Sequence, residues 1–226
     1  MNRIILSIRG LVATYGDFSG RTTELRFPDL DVFEGEKVAL TGPSGSGKTT
    51  LLLLIAGLKL PREGTVRVCD CDITRLSEEE RDVFRARNLG IVFQSLNLLE
   101  SSSLLTNVCL QLWVEDRRGK SVDRWARGLL KHVGLEGRVK ERPTRLSSGE
   151  RQRVAVARAV AGGSRLLLAD EPTSHLDTDN SRRVLDLLFE GVQRWRKTLL
   201  VVTHDERILG HFNRVISLAP RKECVP

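Results

Sequence analysis

Residues 41–50 read TGPSGSGKTT, and the rest of the chain is organised around this stretch. Gly42, Gly47, Lys48 and Thr49 fit G-x-x-x-x-G-K-[ST], the pattern of a phosphate-binding loop. The preceding EKVALT is typical of a buried strand, and the following TLLLLIAGL predicts a buried helix that ends near Gly57. This strand–loop–helix context indicates a nucleoside triphosphate site. By itself it leaves a kinase, a GTPase, a helicase and a transporter motor as alternatives.

The composition of the loop explains how it holds a polyanion. Glycines let the backbone wrap closely, so that successive N–H groups point at the phosphates. The helix that follows adds its N-terminal N–H groups and the positive end of its dipole. We expect Lys48 to reach the β- and γ-phosphates and the Thr49 hydroxyl to ligate Mg²⁺. The predicted nucleotide-binding residues of the loop are Gly42, Pro43, Ser44, Gly45, Ser46, Gly47, Lys48, Thr49 and Thr50.

Composition bounds the class of protein. The 226 residues are 40% hydrophobic, enough for one or two domains with a core. The net charge of +7 fits a solvated basic surface, nucleic acid or an anionic membrane face, and charge alone does not choose. An aromatic content of 5% argues weakly against a base-stacking surface. The longest apolar run, residues 51–56, is too short to span a bilayer.

The four cysteines are predicted to be free thiols in a reducing cytosol. The start MNRIILSIRG lacks the long apolar core and cleavage site of a signal peptide. Cys69 and Cys71 are predicted to lie in one strand with both side chains on one face. With no further ligands nearby, a structural role is favoured over a metal site.

Patterning predicts alternating strands and helices. The predicted strands span 4–12, 22–27, 37–41, 64–70, 90–93, 165–169, 198–203 and 214–218. Beyond the helix after the phosphate loop, one predicted helix begins after Ser77 and ends near Asn88. The other predicted helices cover 104–114, 122–133, 151–163 and 179–195. Ser77 and Glu80 form a capping box at the first of these helices. Residues 95–145 are interpreted as a helical insertion, 13–20 as a loop and 221–226 as a basic tail.

Polar side chains follow three of the predicted core strands. Gln94, Asp170 with Glu171, and His204 each stand at a carboxyl end, the edge where open α/β sheets bind ligands. Paired carboxylates after a buried strand are costly unless a cation or polar group meets them. One carboxylate can hold Mg²⁺ through water and the next can act on a nucleophilic water. A lone histidine is usually structural, but this position makes convergence on one site plausible.

Two further features allow two interpretations each. Tyr15, in the predicted loop, can stack on a purine or be an ordinary half-buried tyrosine, and its position alone favours the second. The Ser/Gly turn at 147–149 opens a helix, which provides either a second anion-binding N-terminus or simply a capped helix start.

Taken together, these residues resemble the ATP-binding subunits of ABC transporters over nearly the whole chain. The resemblance rests on the phosphate loop, FQ at 93–94, LSSGE with RQRVAVARA, LLLADE, SHLD and the histidine after TLLVVT, in that order. It implies the ABC ATPase fold, an α/β P-loop NTPase core with a mixed sheet, an N-terminal antiparallel β region and a helical subdomain. The core is predicted at 1–93 and 150–226, and the helical subdomain at 94–149. ATP and Mg²⁺ are the implied cofactors.

The resemblance also implies roles at the nucleotide. Tyr15 is similar to the residue that stacks on adenine. Gln94 resembles the glutamine that senses Mg²⁺ and the attacking water and couples to the membrane partner. Asp170 matches the aspartate that binds Mg²⁺ through water, and Glu171 the general base. His204 resembles the switch histidine that contacts the γ-phosphate.

A second set of residues is implied to act on the ATP of another subunit. Ser147, Ser148 and Gly149 match the signature that binds this γ-phosphate, and Asp177 resembles the loop aspartate at the dimer contact. The site is therefore expected to be complete only in a head-to-tail dimer with two ATP at the interface.

Departures from the family are mild. Ser148 replaces a usual glycine, which would cost on the order of 1 kcal/mol if that position required φ > 0. Glu150 in place of glutamine is common in the lipoprotein-releasing, macrolide-export and cell-division branch. FQSLNLLESSSLLTNV also resembles that branch, although Thr106 stands where the branch often has glutamate.

The resemblance predicts an ATP-hydrolysing motor on the cytoplasmic face of the bacterial inner membrane. Its expected partners are a separate integral-membrane permease, reached through residues 94–133, and a second ATPase subunit, with a homodimer favoured and no nucleic acid expected. A second hypothesis is an ABC-type ATPase that acts on DNA or the ribosome, but the chain has neither a long coiled-coil insertion nor a second cassette. A small-molecule kinase explains neither LSSGE nor His204.

Overall fold

The computed structural model describes residues 3–16, 22–174, 176–218 and 221–225. The strands are β1 (Ile4–Gly16), β2 (Thr22–Arg26), β3 (Leu30–Phe33), β4 (Lys37–Thr41), β5 (Glu63–Val68), β6 (Cys71–Asp72), β7 (Leu89–Val92), β8 (Leu166–Asp170), β9 (Thr198–Val202), β10 (Arg214–Ser217) and β11 (Arg221–Val225). The α-helices are α1 (Lys48–Ile55), α2 (Glu78–Asn88), α3 (Leu104–Val114), α4 (Lys120–His132), α5 (Ser148–Ala161) and α6 (Thr178–Trp195).

The strands form two sheets. A parallel sheet runs in the order β10-β4-β9-β8-β7. An antiparallel sheet runs in the order β11-β2-β1-β5-β6, and β3 pairs with β1. The predicted combination of a P-loop core, an antiparallel β region and helices is confirmed. The parallel and antiparallel strands form two separate sheets.

The central parallel strands lie between two hydrophobic cores. Leu166 and Leu168 of β8 pack with α1 and the antiparallel sheet, whereas Leu167 and Ala169 pack with α3–α6. This split follows from the two-residue period of a strand, which sends successive side chains to opposite faces. Both faces are covered, which explains why the strand reads as a continuous apolar run.

The segment predicted to be a helical insertion contains α3 and α4. Their bounds agree closely with the predicted 104–114 and 122–133. Buried Asn107 fixes the entry to this segment, because its Oδ1 accepts from the Leu99 amide at 2.7 Å and its Nδ2 donates to the Leu99 and Ser103 carbonyls at 3.0 Å. The helices share one core with α5 and β8, and the division into 94–149 and the remainder stays a prediction.

Four local predictions are wrong. Tyr15 lies in β1, paired with Thr23, and not in a loop, because pairing with β2 extends the strand beyond its apolar part. Cys69 and Cys71 do not share a strand, since Cys69 and Asp70 form a two-residue turn with φ of 51° and 65° between β5 and β6. Residues 221–225 are strand β11 on β2 and not a tail. Residues 30–33, which are not among the predicted strands, form strand β3.

Some predictions cannot be compared with the structure. Positions 17–20 of the predicted loop and His175 of the SHLD motif lie outside the described residues. Within the described part of the chain, no helix has the length and apolar character required to cross a membrane.

Candidate functional site

A cleft of about 750 Å³ opens at the carboxyl edge of the parallel sheet. β4, β9, β8 and β7 are neighbours and parallel, so the residues that follow them meet at this edge. The described lining residues are Leu25, Gly42, Ser44, Gly45, Ser46, Gly47, Lys48, Thr49, Thr50, Gln94, Glu171, Val202 and His204. The topology thus brings the predicted loop together with Gln94, Glu171 and His204.

The loop takes a conformation that only glycine adopts freely. Gly47 has a φ of 85° and directly precedes α1, and a Cβ there would lie 3.1 Å from Leu25 and 3.2 Å from Phe27. A Cβ on Gly42 would lie 2.4 Å from the carbonyl oxygen of Leu218. Glycines therefore keep the loop close to its neighbours, while the loop and the N-terminus of α1 line the cleft.

The charged end of Lys48 lies over the loop. Its Nζ donates to the carbonyl oxygens of Gly42 at 2.9 Å and Pro43 at 3.1 Å. Both acceptors are neutral, so the full positive charge remains available to an anion in the cleft.

Asp170 lies beneath the cleft at the end of β8, only 3% exposed. Burial raises the pKa of Asp170, a hydrogen bond from Thr49 opposes this shift, and nearby Glu171 adds to it. Its Oδ1 has no hydrogen-bond partner. A buried carboxylate oxygen without a partner beside a threonine hydroxyl provides the oxygen donors that Mg²⁺ prefers, so these residues fit the expected ion.

Glu171 is held in a left-handed conformation, with a φ of 50°. Such a backbone costs on the order of 1–3 kcal/mol in a residue other than glycine and persists only where the surroundings fix it. Here the Glu171 amide donates to the Val202 carbonyl at 2.9 Å, and its carbonyl accepts from the Ser174 amide and hydroxyl. The side chain turns toward His204, whose Nδ1 lies 2.8 Å from Oε1.

The signature residues do not line this cleft. Ser147 is the N-cap of α5, and its hydroxyl accepts from the Glu150 amide at 3.3 Å. The carboxylate of Glu150 accepts from the Ser147 amide at 2.9 Å, which completes a capping box. Ser148 is the first residue of α5 and has a negative φ, so the backbone cost considered for this substitution does not arise.

An ion-pair cluster ties Glu150 to the segment before α5. Arg138 donates to Glu150 at 2.5 Å and to Glu141 at 2.9 and 3.0 Å. The Ser147 amide first, and then Arg138, hold the pKa of Glu150 below its usual range. The residue that replaces the family's glutamine therefore fixes the signature turn.

Asp177 is connected to the signature helix through Asn180. Asp177 caps α6 by accepting from the Asn180 amide at 2.8 Å, and its other oxygen accepts from the Asn180 side chain at 2.5 Å. Arg153 of α5 donates to the Asn180 oxygen. A Cβ on Gly149 would lie 3.3 Å from Leu176, so the two N-termini are in close contact. The predicted dimer-contacting residues form one surface apart from the described cleft lining.

The remaining site features differ in how clearly the sequence signals them. Tyr15 of β1 pairs with Thr23 of β2, which lies two residues before Leu25, a residue of the cleft lining. The stacking of Tyr15 on adenine stays a prediction. A capped helix start is one of the two predicted interpretations of 147–149, but the capping box with Glu150 is not predicted, although S-x-x-E is the same signal that identifies the box at Ser77. The contact of Arg138 with Glu150 has no local sequence signal.

Comparisons with known proteins identify the family of this chain. The family model described as "ABC transporter" matches residues 25–174. The chain belongs to the ABC transporter family, as an ATP-binding and ATP-hydrolysing subunit. Among curated relatives, the lipoprotein-releasing system ATP-binding protein LolD of Legionella pneumophila (strain Paris) is 39% identical over 96% of both chains. LolD of Hydrogenovibrio crunogenus is 40% identical over 100% of this chain and 98% of its own.

Solved structures give the same class. The ATP-binding cassette MJ0796 in a dimeric, post-hydrolysis state bound to ADP and Pi has a TM-score of 0.88 and 33% identity, covering 98% of this chain and 99% of that chain. A second dimeric structure of MJ0796, a bacterial ABC transporter cassette, matches equally well. The predicted family is thereby confirmed, and the LolD relatives agree with the predicted branch of lipoprotein-releasing, macrolide-export and cell-division transporters.

Proposed function

We propose that the chain is the motor of a lipoprotein-releasing type of ABC transporter and that it acts as an ATP-driven dimer on a separate membrane permease. The observation that carries this proposal is the separation of two sets of residues. The cleft contains Lys48, Glu171 and His204, whereas the signature turn at Ser147 lies outside its described lining. A site divided in this way is completed by a second copy.

In the proposed reaction, the loop and Lys48 bind the β- and γ-phosphates of ATP, and Tyr15 stacks on the adenine. Thr49, Asp170 and Gln94 would hold Mg²⁺, which neutralises phosphate charge when bound. Glu171 takes a proton from the attacking water through a carboxylate oxygen. The water oxygen bonds to the γ-phosphorus as the bond between this phosphorus and the oxygen that bridges the β- and γ-phosphates breaks, which gives ADP and phosphate. His204 orients Glu171 and contacts the γ-phosphate.

The second copy supplies the remaining ligands. Ser147, Ser148 and Gly149 present the N-terminus of α5 to the γ-phosphate of ATP held in the partner cleft. Asp177, connected to α5 through Asn180, contacts the partner beside it. ATP then joins the two copies and hydrolysis releases them. The dimeric state of MJ0796 supports this arrangement.

The permease is proposed to bind through the segment from Gln94 to α4, which follows the cleft directly in sequence. In this proposal the chain is a peripheral subunit on the cytoplasmic face of the bacterial inner membrane. The name of the LolD relatives supports lipoprotein release as the transport class.

The test is light scattering and ATP turnover for wild type, Glu171→Gln and Glu190→Gln, with and without Mg-ATP. Glu190 contacts His132 at 2.9 Å outside the cleft, so it provides a matched glutamate–histidine control. We expect Glu171→Gln to bind ATP, to dimerise with it and to lose turnover by about 10²–10⁴-fold, since one general base contributes about that much. Glu190→Gln should behave as wild type.

Two results would contradict separate parts of the proposal. Wild-type turnover in Glu171→Gln would remove the general-base assignment. A Glu171→Gln protein that binds ATP but stays monomeric would contradict the shared site.

A further inference from the structure

Arg158 of α5 forms hydrogen bonds to the loop that follows Gln94. Its Nη2 donates to the carbonyl oxygen of Leu96 at 2.6 Å, and its Nη1 donates to that of Asn97 at 2.5 Å. Two short hydrogen bonds from one planar guanidinium to consecutive carbonyls fix both the position and the orientation of this peptide unit.

In the described part of the chain, the Arg158 guanidinium forms no ion pair, so its two partners there are neutral carbonyl oxygens. Burial alone lowers the pKa of Arg158, with no contribution from a neighbouring carboxylate. A charge removed from water in this way is tolerated only if dipoles replace its hydration. The two loop carbonyls perform this function, so the loop and the arginine depend on each other.

Leu96 and Asn97, whose carbonyls accept from Arg158, both have backbone conformations with positive φ. Leu96 has a φ of 62° and Asn97 a φ of 47°, the left-handed region that side chains other than glycine rarely adopt. Within the loop, the Leu96 amide donates to Phe93 and the Asn97 amide to Ser95, at 2.9 and 2.7 Å. These short-range bonds set the turn, which is fastened to other elements by the hydrogen bonds from Arg158 and by packing of Leu96 against the helical core.

The loop is therefore held at both ends. Asn107 fixes Leu99 to α3, and Arg158 fixes Leu96 and Asn97 to α5. Gln94 lies two residues before Leu96 and lines the cleft. A shift of these carbonyls changes where the Gln94 amide stands relative to the phosphate loop.

We infer that Arg158 is a positioning residue for Gln94, and that it connects the position of Gln94 to the helix whose N-terminus carries the signature serine. The inference rests on the proposed role of Gln94 in the cleft. It adds that α5 acts on both nucleotides, directly at its N-terminus and through Arg158 at its own subunit's Gln94.

The test compares Arg158→Met, which keeps length but has no donors, with Arg158→Lys, which restores one donor group. Val154→Ala is the control for general damage to α5, because Val154 is fully buried on the same helix. Each variant is measured for ATP turnover, ATP affinity, melting temperature and amide hydrogen exchange at residues 94–99. Arg158→Met and Gln94→Ala are also combined.

We expect Arg158→Met to lower kcat by about 10-fold or more with ATP affinity within about twofold of wild type, and Arg158→Lys to recover part of this loss. Hydrogen exchange at 94–99 should accelerate in Arg158→Met and not in Val154→Ala. In the Gln94→Ala background, Arg158→Met should add less than about a twofold loss, because residues that act as one unit are not additive.

The outcomes separate this inference from the proposed function. If the Arg158→Met loss is the same with and without Gln94, or if Val154→Ala reproduces it at equal melting temperature, Arg158 is only structural. If hydrogen exchange at 94–99 is unchanged in Arg158→Met, the hydrogen bonds from Arg158 do not hold this loop in solution. Wild-type turnover in Gln94→Ala would instead contradict the proposed role of Gln94.

Discussion

Glu171 and His204 follow neighbouring parallel strands and contact each other at the edge of the cleft. His204 Nδ1 lies 2.8 Å from Glu171 Oε1, and the His204 amide lies 3.4 Å from Oε2. The Glu171 side chain is 12% exposed, whereas that of His204 is 71% exposed. The histidine therefore fixes a nearly buried carboxylate, and it also lines the cleft.

We expect His204→Ala to lower ATP turnover by roughly 10²-fold, because Glu171 loses its orienting partner, and to weaken ATP binding far less than turnover. Turnover and binding of a fluorescent ATP analogue measure the two effects separately. His132→Ala is the control, since it removes a surface contact with Glu190 of similar length. Equal turnover in the two variants would show that His204 does not position Glu171.

Gly47→Ala should destabilise the protein and abolish ATP binding. The left-handed backbone costs an alanine about 1–2 kcal/mol, and contact with Leu25 and Phe27 adds about 1–3 kcal/mol from overpacking. Gly35→Ala is the control because Gly35 has a φ of 77° and no atom within 4 Å of an added Cβ. Urea unfolding should show the larger loss at Gly47, and equal losses would contradict a packing role for Leu25 and Phe27.

The central part of this site was predictable because each residue follows a regular pattern. Gln94, Glu171 and His204 all come after apolar strands, and parallel strands bring their carboxyl ends to one edge. The helix bounds were also predictable where a cap marks them, as at Ser77. Such signals are local, so a single sequence contains them.

The rest required contacts between distant residues. Arg158 reaches Leu96 across 62 positions, and nothing in either segment specifies the other. β11 was misread as a tail because its strand character comes from pairing with β2, not from apolar alternation. The turn at Cys69 and Asp70 lacks the glycine or asparagine that usually signals such φ values.

Glu150→Gln restores the residue usual in the family and should make stability less dependent on pH. Contacts with Ser147 and Arg138 hold the pKa of Glu150 below 4.5, so its contribution is complete above that pH and is lost as pH falls through the native pKa. Wild type should therefore be more stable than Glu150→Gln at neutral pH, and the difference should shrink below pH 4.5. Urea unfolding across this range measures it.

Glu80→Gln is the control for this effect. Glu80 forms the same capping box with Ser77, and no arginine contributes to the lowering of its pKa. Its difference from wild type should vary less with pH than that of Glu150→Gln. Equal variation at both boxes would mean that Arg138 contributes nothing at the signature turn.

Lys197→Met should destabilise the fold without changing the chemistry of the cleft. Lys197 is only 4% exposed, and its Nζ donates to the Gly162 and Ser164 carbonyls at 2.7 Å and to the Ser164 hydroxyl at 3.1 Å. Methionine leaves these buried acceptors unpaired, at about 1–3 kcal/mol. Lys131→Met, at an exposed ion pair with Glu136, should change stability far less.

The same lysine gives a pH dependence of the same sign as that of Glu150, but in an alkaline window. Burial lowers the pKa of Lys197 from 10.5 to about 8, so between these values the unfolded chain binds more protons than the native chain. Stability from this group therefore rises with pH across that window. The advantage of wild type over Lys197→Met should be larger at about pH 10 than at about pH 7 in urea unfolding, because deprotonation relieves the buried charge while the amine still donates. A constant advantage would show that the carbonyls fully compensate the charge.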